Sequence, residues 1–174
     1  MKKIKIEFII IALFFAAIAV YIMGALGSKG HKLLVIQNNT TGQKTEFYLK
    51  DNSFSLGYMH SVMKTPAEEF FHINENNKIV MEKTVYESFG VGLPFLADMD
   101  DFEIKDDKFI LYKNDDYEEI NMIISPIPEH WLQIGDMKYE LMDILKEENC
   151  SITVYAHDVS TIKYLMLILT NQYS

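Results

Sequence analysis

The feature that most limits the possible folds is a stretch in which apolar or aromatic residues alternate with small or polar ones. The first set is Phe54, Leu56, Tyr58, His60 and Val62, and the second is Ser53, Ser55, Gly57, Met59 and Ser61. A period of two is typical of a strand with one buried face. The alternation therefore predicts a half-buried strand that continues to Val62.

Other β-rich runs follow one another with turn signals every eight to twelve residues or so. They cover residues 33–36, 46–49, 67–73, 78–89, 102–112, 117–125, 131–141 and 151–156. Many short strands at this spacing predict a mainly β domain, an antiparallel β-sandwich or barrel. Residues 141–149 and 161–170 have some helical character, but we interpret residues 165–169 as a core strand too short to cross a bilayer.

Composition is consistent with one domain that folds on its core alone. Hydrophobic residues make up 49% of the 174 residues, which is ample for a packed domain. Cys150 is the single cysteine, so an intrachain disulfide is impossible, and we expect its side chain to be a small buried apolar group. Residues 30–174 are assigned to this domain.

Residues 1–29 are interpreted as a membrane segment. Residues 8–26 are uncharged and mostly apolar, and as a helix they would span about 28 Å, close to the thickness of a bilayer core. Three lysines precede the run, which predicts a single-pass helix with the N-terminus inside and the domain on the extracytoplasmic side. A cleaved signal peptide is the alternative, and it would secrete the domain.

Charge excludes one class of partner. The first 29 residues carry +3 and the whole chain −9, so the remainder carries −12. An acidic domain repels nucleic acid and anionic lipid headgroups. We expect no nucleic-acid partner, and no cofactor or metal is indicated.

Polar and turn-forming residues are densest between Tyr58 and Pro94. The candidate binding residues here are His60, Ser61, Lys64, Thr65, Pro66, Glu69, Gly90, Gly92, Leu93 and Pro94. With a three-residue loop at 64–66, the numbers of two paired residues in the hairpin would sum to 130, and a slip by one residue would make the sum 131. In either register an imidazole and a carboxylate could meet. Residues 86–89 are expected to lie on the strand beside this hairpin.

Several roles are open for these residues. His60 could pair structurally with a glutamate or a backbone carbonyl, contact a ligand or partner, or ligate a metal with Glu69 and His72. A Ser61–His60 nucleophile is disfavoured, since adjacent strand residues point to opposite faces. Gly90 and Gly92 either permit a tight turn or expose backbone N–H groups to an anion.

The motifs resemble a known family. They are His60-Ser61-Val62, Lys64-Thr65-Pro66 followed by Glu69, Ser88-Phe89-Gly90-Val91-Gly92-Leu93-Pro94 and Leu132-Gln133-Ile134-Gly135. Together they resemble the bacterial proteins grouped as domain of unknown function 1850, over roughly residues 33–154. Ala67 stands where that pattern favours a bulkier aliphatic residue.

The resemblance implies a small exported protein and supplies no catalytic residues. Family members are often encoded beside the membrane subunits of tripartite ATP-independent periplasmic (TRAP) transporters of the TAXI type. That association implies an accessory or binding role, with a multispanning transporter subunit as partner. The alternatives are an exported metal-dependent hydrolase using His60 and Glu69, and a non-catalytic structural protein of the envelope. An enzyme is not our expectation.

Overall fold

The protein is mainly β, with a long N-terminal helix and short helices in its C-terminal third. The computed structural model describes residues 2–27, 29–87 and 101–170. In chain order the elements are α1 (Lys2–Gly27), β1 (Lys29–Asn38), β2 (Lys44–Tyr48), β3 (Ser53–Met59), β4 (Pro66–Ile73), β5 (Ile79–Tyr86), β6 (Phe102–Lys105), β7 (Lys108–Tyr117), β8 (Glu119–Ile124), β9 (Trp131–Ile134), β10 (Met137–Glu140), α2 (Leu141–Leu145), β11 (Cys150–Ser160) and α3 (Thr161–Leu169).

The strands form two antiparallel sheets. The four-stranded sheet has the order β2-β1-β11-β8, and the seven-stranded sheet has the order β10-β9-β3-β4-β5-β7-β6. β1 and β11 are the long central pair of the smaller sheet, with Lys29 opposite Ser160 at one end and Asn38 opposite Ile152 at the other. The expected antiparallel β domain is confirmed.

One hydrophobic core joins the two sheets. It contains Leu34, Ile36 and Val154 from the smaller sheet together with Leu56 and Phe71 from the larger one. The period of two places these side chains on one face of each strand, which buries them between the sheets. Within the described ranges neither sheet closes on itself, so the barrel alternative is wrong.

Two sequence expectations about β-structure and helix need correction. β3 ends at Met59 and not at Val62, because the chain turns at His60. Residues 165–169 are not a core strand but belong to α3, whose residues are all at least partly exposed. Ser160 caps this helix by accepting a hydrogen bond from the backbone N–H of Lys163 at 3.3 Å.

α1 occupies the N-terminal residues that were assigned to the membrane. The side chains described in it are those of Ile11 and residues 13–24, and all are exposed. Searched over its described residues, the chain has no helix with both the length and the apolarity needed to cross a membrane. α3 packs against α1 and against β1, β2 and β11.

Candidate functional site

The loop between β3 and β4 is longer than a tight hairpin. Tyr58 pairs with Ala67 and Met59 with Pro66, so paired numbers sum to 125 and both expected registers, 130 and 131, are wrong. Residues 60–65 form a six-residue connection. Its ends are joined by hydrogen bonds from His60 N–H to the Thr65 carbonyl and from Lys64 N–H to the His60 carbonyl, both 2.9 Å.

His60 organises this connection through its own side chain. Its Nδ1 accepts hydrogen bonds from the backbone N–H groups of Val62 at 3.3 Å and Met63 at 3.2 Å. Nδ1 can accept only through its lone pair, so the ring proton of the neutral form lies on Nε2. The residue is 8% exposed. The alternating pattern could not predict these two hydrogen bonds, which we call the His60 cap. A histidine on a half-buried strand would stand at the same place in the alternation.

A cleft of about 370 Å³ opens beside this loop, between the two sheets. Its lining residues are Leu56, Gly57, Tyr58, Met59, His60, Ser61, Glu69, Met122, Pro128 and His130. β3 and β4 supply one wall, Met122 of β8 comes from the smaller sheet, and the β8–β9 loop supplies Pro128 and His130. The cleft therefore combines apolar walls with a few polar groups, as small-molecule sites do.

Glu69 lies on the inner face of the larger sheet, among core positions. It is opposite Leu56 on β3 and Thr84 on β5, and directly paired residues share a face. Burial raises the pKa of Glu69, and no cation or hydrogen-bond donor of the described residues offsets this effect. The charge of Glu69 in turn helps to raise the pKa of Tyr58, after burial of that phenol. A carboxylate placed here without a cation among the described residues is energetically costly.

His130 places a buried ring nitrogen that lacks a hydrogen-bond partner among the described residues in the lining of the same cleft. It is 9% exposed, and its Nδ1 is buried without a hydrogen-bond partner in the part of the chain that the structure describes. Burial lowers the pKa of His130, an effect that the Ser125 backbone offsets in part, so the ring is mainly neutral near pH 7. Its ring centroid is 6.2 Å from that of Tyr58.

The pairing of β9 with β3 brings His130 to the cleft. Trp131, the next residue, lies opposite Gly57, and its indole covers the space where a β-carbon on Gly57 would be. A glycine is therefore needed at this position. The sequence interpretation missed His130, because its place depends on a pairing between strands more than 70 residues apart, and nothing in its immediate neighbours signals that pairing.

The structure brings together only part of the predicted set. His60, Ser61 and Glu69 line the cleft, whereas Lys64 and Thr65 belong to the connection and Pro66 begins β4. Lys64 adopts a left-handed conformation with φ 56° and is exposed. The four predicted residues of the glycine turn, Gly90, Gly92, Leu93 and Pro94, lie outside the described residues.

The metal grouping of His60, Glu69 and His72 does not form. His72 lies three positions beyond Glu69, so it points to the opposite face of β4, where its Nδ1 is 2.8 Å from Oε1 of Glu82. Among the described residues, no group of three or more His, Cys, Asp or Glu side chains could hold a metal ion.

Two smaller predictions are confirmed. β5 lies beside the hairpin, with Tyr86 opposite Ala67, as expected for the strand that leads to the glycine turn. Cys150 is buried, with 2% of its surface exposed.

Comparison with known proteins identifies a family. A family model described as "Domain of unknown function (DUF1850)" matches residues 54–141, which is half of the chain and includes every residue of the cleft. No curated protein and no solved structure matches the chain.

Proposed function

The chain belongs to the DUF1850 family, and on that premise we propose that it is a membrane-anchored extracytoplasmic binding module that holds a small solute in the cleft beside the His60 loop. In this role it also binds a multispanning membrane subunit of a TAXI-type TRAP transporter. If the N-terminal segment is cleaved, the same domain acts as a secreted binding protein.

The observation that carries the proposal is a buried imidazole nitrogen without a hydrogen-bond partner that shares one cleft with a carboxyl lacking a cation among the described residues. Glu69 is a half-buried carboxyl without a cation, and His130 has a buried Nδ1 without a partner among the described residues. A buried polar group left unsatisfied costs about 1–3 kcal/mol. Folded domains retain such groups where function needs them, and a solute can supply the missing partners.

The C-terminal helix supports the membrane anchor. Ile162, Leu165, Met166 and Leu169 are spaced as i, i+3, i+4 and i+7, and they are 45%, 45%, 61% and 83% exposed. Such residues form one apolar stripe along a helix.

The other side of α3 is fastened to the domain, by Lys163 Nζ at 2.6 Å from Oε1 of Glu46 and by Tyr164 stacked on His31 at 4.0 Å. Because α3 also packs against α1, the stripe and the apolar run of residues 8–26 would meet lipid together.

The cleft lies at the far end of the smaller sheet from α1. Met122 in the cleft wall pairs with Ile152, which is opposite Asn38, whereas α1 precedes Lys29 at the other end of β1. Nine residues of strand correspond to roughly 30 Å at about 3.3 Å per residue. An anchored domain would thus hold its cleft away from the bilayer, open to extracytoplasmic solutes.

The transporter role rests on the family resemblance and is tested by co-purification. The tagged full chain is solubilised from the membranes of its own cells, and the proteins retained are identified by mass spectrometry. We expect a multispanning TAXI-type subunit to be enriched over a control chain that keeps residues 1–29 but carries an unrelated domain. Equal recovery with both chains would remove the transporter from the proposal.

A further inference from the structure

Among the residues that the structure describes, the cleft contains one formal charge. Glu69 is the only acidic residue of that described lining, which includes no lysine or arginine. The nearest lysine in sequence, Lys64, is exposed and lies outside the lining. A bound anion would therefore meet a carboxylate and no cation, whereas a cation would supply the partner that Glu69 lacks.

The remaining polar groups also favour a ligand that donates hydrogen bonds. A carboxylate only accepts, and a neutral imidazole accepts through one ring nitrogen. A donor at the buried Nδ1 of His130 would select the tautomer with its proton on Nε2. An ammonium group carries three N–H donors, so it can satisfy a carboxylate and still bond to a further acceptor.

The walls around these groups define the rest of the ligand. Leu56, Met59, Met122 and Pro128 are apolar, and the aromatic ring of Tyr58 stands beside Glu69. Thioether side chains adapt to varied apolar shapes, and an aromatic face attracts a cation. The volume of about 370 Å³ lies within the range of small-molecule sites.

Resting on the binding role proposed above, we propose that the cleft takes a small organic cation, a primary ammonium carried on a short apolar chain, with Glu69 as its counter-ion and His130 Nδ1 as a second acceptor. Glu69 selects for positive charge, and the apolar walls select for the chain. Free inorganic cations lack the apolar part and carboxylic acids have the wrong charge.

The test compares three probes of one shape, n-butylammonium, 1-butanol and butyrate. Each is titrated into the full chain in detergent micelles at constant ionic strength, and the melting temperature is recorded, since a ligand bound to the folded state raises it. A charge-assisted hydrogen bond predicts that butylammonium binds about tenfold or more tightly than butanol, with butyrate weakest.

Two variants assign the preference to the cleft. Glu69→Gln should abolish the difference between butylammonium and butanol. Glu82→Gln is the matched control, since Glu82 is 51% exposed, is paired with His72 and is absent from the cleft lining, and it should keep the full preference. Loss of the preference in both variants would mean that the cation binds the acidic surface at large and would overturn the proposal.

Outcomes for the ligand class and for the binding role are separable. Butyrate binding as tightly as butylammonium, with Glu69→Gln without effect, would overturn the cation class while leaving the cleft as a site. Failure of all three probes would also overturn the cation class. The binding role itself fails only if, in addition, the methyl groups of Met59 and Met122 do not respond to natural solutes, as measured in the last experiment of the Discussion.

Discussion

Replacing Gly57 with alanine should destabilise the domain, although Gly→Ala is normally favourable in a strand. A β-carbon at position 57 would lie closer to the indole atoms Cε2, Cζ2 and Nε1 of Trp131 than real β-carbon contacts come. The indole has little room to retreat, because it is 6% exposed and Lys138 Nζ lies 4.1 Å from the ring centroid on the outer side of the sheet. β9 would have to shift, and His130 would move with it.

Two opposing contributions decide whether Gly57→Ala raises or lowers the free energy of unfolding. Removing glycine from a strand interior gains about 0.5–1 kcal/mol, because the unfolded chain loses freedom. Overpacking a tightly filled position costs about 1–3 kcal/mol or more, and here the obstructing atoms belong to a rigid ring. The clash should prevail. For a domain of this size, each kcal/mol corresponds to about 3–4 °C, so a fall of several degrees in melting temperature is expected.

Thermal unfolding of the full chain in micelles measures the effect. Gly30→Ala is the control, since a β-carbon there meets nothing within 4 Å, and it should leave the melting temperature unchanged or slightly raised. Trp131→Leu lowers stability by itself but removes the obstructing ring. In that background Gly57→Ala should therefore cost much less than in the wild type. An equal cost in both backgrounds, or a stabilised single variant, would refute the reasoning.

Three further predictions concern the site and the membrane face. Burial raises the pKa of Glu69 above its ordinary 4.5, so the contribution of this residue to stability is full below pH 4.5 and is lost as the pH rises through the pKa of the folded state. The melting temperature of Glu69→Gln should therefore rise relative to that of the wild type from pH 4 to pH 8. A difference that stays constant over this range would contradict the burial of Glu69. His60→Ala should lower the free energy of unfolding in urea by about 1–3 kcal/mol, because two backbone N–H groups of the loop lose their acceptor. His72→Ala is the control, since it breaks an exposed pair that contributes under about 1 kcal/mol. Equal losses in the two variants would show that the hydrogen bonds to His60 Nδ1 are unimportant. The membrane face is tested with an environment-sensitive dye attached to Met166→Cys in a Cys150→Ala background, with the full chain in lipid vesicles. This dye should emit at shorter wavelength and be quenched by spin-labelled lipids, whereas the same dye on Ser53→Cys should show neither effect. Identical spectra for the two positions would place α3 in water.

The sequence predicted the β domain because its evidence is local. Turn formers and two-residue alternation mark strands without knowledge of their partners, and most expected strands are observed. α3 was misjudged because the run at 165–169 is apolar enough for a buried strand. The helix exposes Leu165, Met166 and Leu169, whereas a prediction from hydrophobic periodicity places apolar residues in the core.

Half of the candidate site could be anticipated, and the other half depends on long-range pairing. His60, Ser61 and Glu69 were found because they stand close together in an unusually polar hairpin. The predicted register of the hairpin was wrong, because the hydrogen bonds to His60 Nδ1 belong to a longer connection between β3 and β4. His130 could not be found without the pairing of Trp131 with Gly57.

The central claim, that the cleft beside the His60 loop binds a solute, is tested most directly by methionine methyl NMR. Met59 and Met122 line the cleft, whereas Met137 lines a separate cavity of about 310 Å³ and serves as an internal control. The full chain, with labelled methionine methyl groups, is mixed with the low-molecular-mass fraction of the extracytoplasmic fluid of its own cells.

Saturable shifts at Met59 and Met122, with Met137 unmoved and the shifts lost in Glu69→Gln, are the result we predict. Unchanged Met59 and Met122 signals, or shifts confined to Met137, would contradict the assignment of the binding site to this cleft.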